Sequence, residues 1–193
     1  NPLTAVRIKE AVRVYRAQVV TFDSAITNMS KLASHPFLIK PGTEGAVIDG
    51  LVKAAIDLDV VDEAAVGQHP QAFEALKKAV ASLSMEQLTA QTGLSSEVFG
   101  EIARLFAESP RSIILCAEGI VRRANGYHNV LKLMDLAWIT GKIGQPGCGV
   151  STVTEEPNEQ GAVDMGAASE FLPGQGRYGD PEVRDRFAKA WGT

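Results

Sequence analysis

Three short stretches carry side chains able to recognise a small polar ligand. Asp23 follows the β-branched and aromatic run Gln18 to Phe22. An acidic side chain at the end of such a strand is placed to accept a hydrogen bond from a ribose hydroxyl. The competing reading is a helix cap or a solvated turn. Lys40-Pro41-Gly42-Thr43-Glu44 follows a second apolar piece, Pro36 to Ile39, and opens a helix. First-turn amides there lack intrahelical acceptors and favour polar or anionic groups. A helix start capped by Thr43 is the plain structural alternative. Glu118-Gly119 ends a third run, Ser112 to Cys116. Open parallel sheets bind ligands outside such carboxyl ends.

The elements that would position these residues follow from periodicity. Apolar and charged residues alternate at helical spacing from Thr4 to Arg16, and Val47, Leu51, Ala55 and Leu58 form one stripe of a helix from Glu44 to about Leu58. Helix, strand, strand, helix predicts an α/β fold with a parallel sheet. The middle, about 60–108, reads as a helical insert. Pro70 to Leu83 is amphipathic around Phe73, Leu76 and Val80. Ser84 to Gln87 matches a capping box whose helix Gly93 stops. Ser96 to Ala107 turns Val98, Ile102, Leu105 and Phe106 inward. After the Ser112 strand, a helix from about Tyr127 to Ile139 presents Val130, Leu133, Met134, Ala137 and Trp138 for packing, and a last helix runs from Pro181 to Trp191. Residues 1–150 are therefore expected to form the α/β domain and 151–193 a loop with a closing helix.

From Gly141 to Gly174 the chain holds seven glycines and three prolines and no apolar stripe. An irregular stretch of that length inside a domain is usually functional or disordered, and the spacing of Gly141, Gly144, Gly147 and Gly149 predicts tight turns. Glu155, Glu156 and Glu159 repel one another, so 151–161 is expected to be loosely held, with Phe171-Leu172 anchoring the far end and Val183, Phe187 and Trp191 docking the last helix.

The order of residues resembles one family. Thr140-Gly141 through Gly149-Val150, then Asn158 to Gly166, then Phe171 to Gly174, is similar to the loop that follows the last helix of the middle α/β domain in molybdopterin oxidoreductases. That family includes formate dehydrogenases and the large iron–sulfur subunit of the bacterial NADH–quinone oxidoreductase. The resemblance implies a Rossmann-like parallel sheet with flanking helices, of the formate dehydrogenase/DMSO reductase domains 1–3 type. It implies molybdopterin guanine dinucleotide as cofactor in the family, a site this chain is expected to retain in part or to have lost. Iron–sulfur clusters would be carried by other parts of the parent chain.

Residue by residue, the resemblance places Asp23 and Thr27 in the family's Asp-Pro-Arg-x-Thr strand end, with Ser24 and Ile26 departing from it. Pro41, Gly42, Thr43 and Glu44 match the [R/K]-P-G-T-[D/E] segment used around the guanine. Gly119 stands after the next strand, and Asn158, Gln160 and Gly161 match the cofactor-side loop. The departures bear on activity. Thr154 replaces an Arg that could clamp an anionic substrate bidentately, and Ile120-Val121-Arg122 replaces x-Thr-Gln after Gly119. These losses favour the NADH–quinone oxidoreductase subunit, as an architectural domain in an electron-transfer complex. The alternative is the cofactor-binding middle domain of a catalytic molybdenum or tungsten enzyme such as a formate dehydrogenase. A nucleotide-binding or scaffold module is the reading that rests on physics alone. No residue is assigned a catalytic or metal-ligating role.

Composition narrows the classes. With 45% hydrophobic and 22% charged residues the chain reads as a globular domain, and its net charge of −4 without a basic cluster argues against nucleic acid. No apolar run approaches a membrane span. Cys116 and Cys148 cannot supply a disulfide framework or a cluster, and His35, His69 and His128 lack metal-ligand spacing. The expected partners are other domains of a parent polypeptide and other subunits of a redox complex. The expected location is cytoplasmic, with membrane association only through a larger complex. The chain opens on Asn1-Pro2 rather than Met, and is read as part of a longer polypeptide.

Overall fold

The structure is a computed structural model that describes residues 2–153, 155 and 158–192. The chain runs α1 (Pro2–Tyr15), β1 (Val20–Asp23), β2 (His35–Leu38), α2 (Glu44–Asp57), α3 (Glu63–Gly67), α4 (Pro70–Ala81), α5 (Met85–Thr92) and α6 (Ser96–Glu108). It continues through β3 (Ile113–Ala117), α7 (Glu118–Val121), α8 (Gly126–Ile139), β4 (Gly149–Val153), α9 (Glu159–Asp164), β5 (Phe171–Leu172), β6 (Gly176–Arg177) and α10 (Pro181–Trp191). Two compact units result, Asn1–Val153 and Thr154–Thr193.

In the larger unit α2 is the central piece because apolar residues occupy most of its circumference. Val47, Ile48, Leu51, Val52, Ala54 and Ala55 are all buried, while Leu58, expected in the stripe, is the exposed C-cap residue. Helices so enclosed belong inside a core rather than on its surface. Phe99 and Ala103 of α6 and Leu133, Leu136 and Ile139 of α8 share that core, with Phe22 and Phe37 of the first strand pair packed against it. The Phe99 ring fills the space above Gly50: a Cβ there would lie 2.7 Å from Cδ1 and Cζ. That close approach is why a glycine stands in mid-helix. On α8, Met134 faces out, because Asn129, Leu136 and Ile139 take the buried positions instead. Helix α1 has no fully buried residue.

Both strand pairs of the larger unit are parallel, as the α/β alternation predicts. β1 pairs β2 in the register Val20↔His35 to Asp23↔Leu38, and β3 pairs β4 from Ile113↔Gly149 to Ala117↔Val153. Among the described residues no ladder joins the two pairs. Strand β4, helix α9 and strand β5 correct the reading of Gly141 to Gly174 as irregular throughout. Ser151, Thr152 and Val153, expected to be loosely held, pair with Leu115, Cys116 and Ala117. Their partners lie more than thirty positions upstream, beyond the reach of local pattern. Gly141, Gly144, Gly147 and Gly149 do all take positive φ, between 70° and 135°, and make the turns that lead the chain into this strand.

Two local details also differ. Thr43 does not cap α2 with its side chain; its hydroxyl donates to Lys40 O at 2.7 Å, a local hydroxyl bond that competes with capping. Glu118-Gly119, expected at the end of the Ser112 strand, instead starts the one-turn helix α7. Ser84 does cap α5, accepting from the Gln87 amide at 3.3 Å, and Gly93 ends that helix in the left-handed region.

The smaller unit is built without a fully buried residue among those described. β5 and β6 form a two-rung antiparallel hairpin, Asp180 caps α10, and the Gly176 backbone lies so close to Val183 that a Cβ would sit 2.7 Å from Cγ1. Phe171 and Leu172 are half-buried, whereas Trp191, expected to dock α10, is exposed and touches Phe187 at a 5.0 Å ring separation.

Candidate functional site

The residues singled out in the larger unit gather at the carboxyl ends of its strands. Asp23 is the last residue of β1, pairs with Leu38, and its carbonyl accepts from Ile39 N at 2.9 Å. Strand β2 then leads through 39–43 into α2, so Asp23 and the Pro41–Glu44 turn share one sheet edge. Gly42 takes φ +86°, a conformation that a side chain would strain, and so turns the chain toward the helix. Lys40 fixes the turn from outside: its Nζ donates to Ala90 O at 2.7 Å and its amide to Thr92 O at 3.2 Å.

Thr27 serves Asp23. Its Oγ1 donates to Asp23 Oδ2 at 3.0 Å and accepts from Ser30 N at 3.1 Å, while the Thr27 amide donates to the Ser30 hydroxyl at 2.8 Å. Ser30, buried, closes the turn by donating to Thr27 O at 2.9 Å. The hydroxyl of Thr27 is thus occupied in holding the carboxylate. Among the described residues Oδ1 of Asp23 receives no hydrogen bond, so it remains an acceptor for a ligand hydroxyl.

The second strand pair contributes through Arg123, which the sequence reading passed over. Arg123 follows α7; its Nε donates to Gly119 O at 2.9 Å and its Nη2 lies 3.4 Å from Glu44 Oε1. The Gly42 amide donates to the same oxygen at 3.4 Å. Glu44, Arg123 and Gly119 therefore form one cluster linking the start of α2 to the end of β3. The only advance signal was spacing: Arg123 stands four residues after Gly119, one helical turn beyond a strand end. Beneath them α2 and α8 run close. A Cβ on Gly45 would lie 2.8 Å from Asn129 Oδ1, and Lys132 Nζ reaches Asp49 Oδ2 at 2.7 Å.

Asn158, Gln160 and Gly161 belong to the smaller unit. Asn158 precedes α9 without capping it by its side chain, Gln160 Nε2 donates to Asp164 Oδ1 at 2.9 Å, and Gly161 packs over the Asn158 amide. Thr154, Glu156 and Pro157, the heart of the expected departure from an anion-clamping loop, lie outside the described residues.

Acceptors at Asp23 and Glu44, beside first-turn amides of a 14-residue helix, suit the sugar and base of a nucleotide. Those carboxylate acceptors and helix amides fit the dinucleotide end of the cofactor the resemblance implies. Among the described residues no group of three His, Cys, Asp or Glu could hold a metal, and no helix is long and apolar enough to cross a membrane. Cys116 is buried on β3, and desolvation pushes its thiol up; Cys148 Sγ lies 4.0 Å from Pro110 O.

A parallel-stranded α/β unit with polar groups along its strand ends defines the general class. Comparison with known proteins narrows it. The chain is 31% identical over all 193 residues to formate dehydrogenase H of Escherichia coli, and 33% identical over 176 residues to the assimilatory nitrate reductase catalytic subunit of Bacillus subtilis. It is 30% identical over its full length to the F420-dependent formate dehydrogenase 1 subunit alpha of Methanococcus maripaludis. It spans 27%, 25% and 28% of those chains, about a quarter of their length. Acetylene hydratase from Pelobacter acetylenicus shares the fold, with a TM-score of 0.68 over 75% of this chain and 20% of its own, at 21% identity. No protein-family profile matches. The chain is homologous to molybdopterin oxidoreductases of the formate dehydrogenase and nitrate reductase type.

Proposed function

We propose that this chain is the middle, pterin-dinucleotide-facing α/β domain of a molybdenum or tungsten oxidoreductase of the formate dehydrogenase type. The observation that carries the reading is the shared sheet edge of Asp23, held by Thr27, and the Pro41–Glu44 turn, tied through Arg123 to Gly119. Asp23 would accept from the ribose, Glu44 from the donor edge of guanine, and the α2 amides would face the polar chain between them. Asn158, Gln160 and Gly161 are proposed as cofactor contacts on the family resemblance of their loop alone. The bound group would supply the redox chemistry; this chain's residues would bind and orient its nucleotide end. Identity of 31% and 30% over the whole of this chain to two formate dehydrogenases supports this reading.

A second reading keeps the domain as architecture in the large iron–sulfur subunit of an NADH–quinone oxidoreductase. It is favoured by Thr154 and the neighbouring glutamates where an Arg would clamp an anionic substrate. Either parent would work beside other domains and redox subunits, with iron–sulfur clusters outside this segment.

Acid hydrolysis of the purified parent polypeptide, with metal analysis, separates the two. Stoichiometric GMP together with molybdenum or tungsten is the expected result. Iron–sulfur clusters without any pterin nucleotide would overturn the first reading in favour of the second.

A further inference from the structure

We infer that Arg123 is a positioning residue that sets the base preference of this site, an inference that rests on the reading of Glu44 as the base-facing acceptor. Every contact made by the Glu44 carboxylate falls on one oxygen. Gly42 N–H and Arg123 Nη2 both reach Oε1 at 3.4 Å, and among the described residues Oε2 receives nothing. Only 17% of the Glu44 side chain is exposed, against 51% for Arg123. The guanidinium is itself anchored, since its Nε donates to Gly119 O at 2.9 Å. A planar fork held at one end defines direction at the other, which an ammonium on a flexible stem does not.

The consequence is chemical selectivity. A carboxylate offers acceptors only, so it favours a base edge of adjacent N–H donors, as in guanine, and meets a lone pair at adenine N1. Discrimination of this kind is large only if the acceptor is fixed, because a mobile side chain swings away from the wrong partner at little cost. Arg123, anchored to Gly119 just beyond β3, reaches Glu44 on α2 and supplies that fixation. At half exposure the ion pair itself adds little stability, which leaves orientation as its main effect.

Calorimetric titration of the 193-residue chain with GDP and with ADP tests this. The unaltered chain should prefer GDP. Arg123→Ala should weaken GDP binding about tenfold while changing ADP binding by no more than about twofold, and Arg123→Lys should restore part of the loss. If the unaltered chain shows no preference for GDP, the reading of Glu44 falls and this inference with it. A GDP preference that survives Arg123→Ala overturns the role of Arg123 alone. Equal loss of both nucleotides would mark Arg123 as merely structural, and tighter GDP binding would mark it as a shield; either overturns the inference. Melting curves accompany each variant, and Arg123→Gln carries the same comparison should the alanine variant melt early.

Discussion

Phe99, in the larger unit, has no exposed surface, whereas Trp191, at the end of the smaller, keeps 59% of its own. The same contrast runs through both units. The larger is organised around helices that interlock, with Phe99 of α6 seated over Gly50 of α2 and Ile139 of α8 wholly enclosed nearby. The smaller is tied by backbone and polar contacts: a two-rung hairpin, an Asp180 cap, and Gln175 Nε2 and Gly174 N donating to Asp164. Packed volume resists change in one, while the other depends on a few local bonds. The polar groups of Asp23, Glu44 and Arg123 all stand on the larger unit.

The sharpest way to break this comparison is to remove one aromatic ring from each unit. Phe99→Ala should cost about 3–5 kcal/mol, through lost burial and the cavity left over Gly50. Trp191→Ala should cost less than about 1 kcal/mol, since most of its ring already meets water. Urea unfolding followed by circular dichroism measures both, and comparable losses would mean that the two units are held in the same way.

A smaller effect probes the interlock from the other side. Gly50→Ala improves helix propensity by about 1 kcal/mol, yet its Cβ would enter the Phe99 ring. Overpacking of that kind costs about 1–3 kcal/mol, so the net change should be destabilising. A double variant with Phe99→Leu should recover part of the loss. A raised melting temperature for Gly50→Ala alone would show that Phe99 has room to move.

How much of this was legible in advance follows from where each signal lies. The start of α2 stood in Lys40-Pro41-Gly42-Thr43-Glu44, because a positive-φ glycine and a helix start are local events. The helices were legible for the same reason, except that Phe99 was passed over for Val98 and Phe106, since period alone cannot say which apolar residue meets Gly50. Strand β4 was not legible. Gly149-Val150-Ser151-Thr152-Val153 has no clean alternation and becomes a strand by pairing with Ile113–Ala117, across α8. At the site, Asp23 and Glu44 were visible as strand-end and helix-start residues. Arg123 was not, because its partner Glu44 is 79 positions away and only the fold brings them together.

The last effect is small and depends on pH. Asp135 lies partly buried on α8, and desolvation raises its carboxyl above the usual range. A raised folded-state value means that the folded chain binds this proton more tightly than the unfolded one. The associated stability is therefore complete below the ordinary carboxylate value of about 3.9 and is lost as pH rises through the raised one. At neutral pH the ionised carboxylate is a burden on the larger unit. Lys132, three residues earlier on the same helix, is engaged with Asp49 at 2.7 Å. Asp135→Asn removes the charge at every pH without changing the side-chain volume much. Its melting temperature should exceed that of the unaltered chain near neutrality, and the difference should shrink as pH falls from about 7 toward about 4. A difference that stays constant across that range would show that the carboxylate is as well solvated in the fold as in the unfolded chain. The dry surroundings that distinguish the larger unit would then stop short of this face of α8.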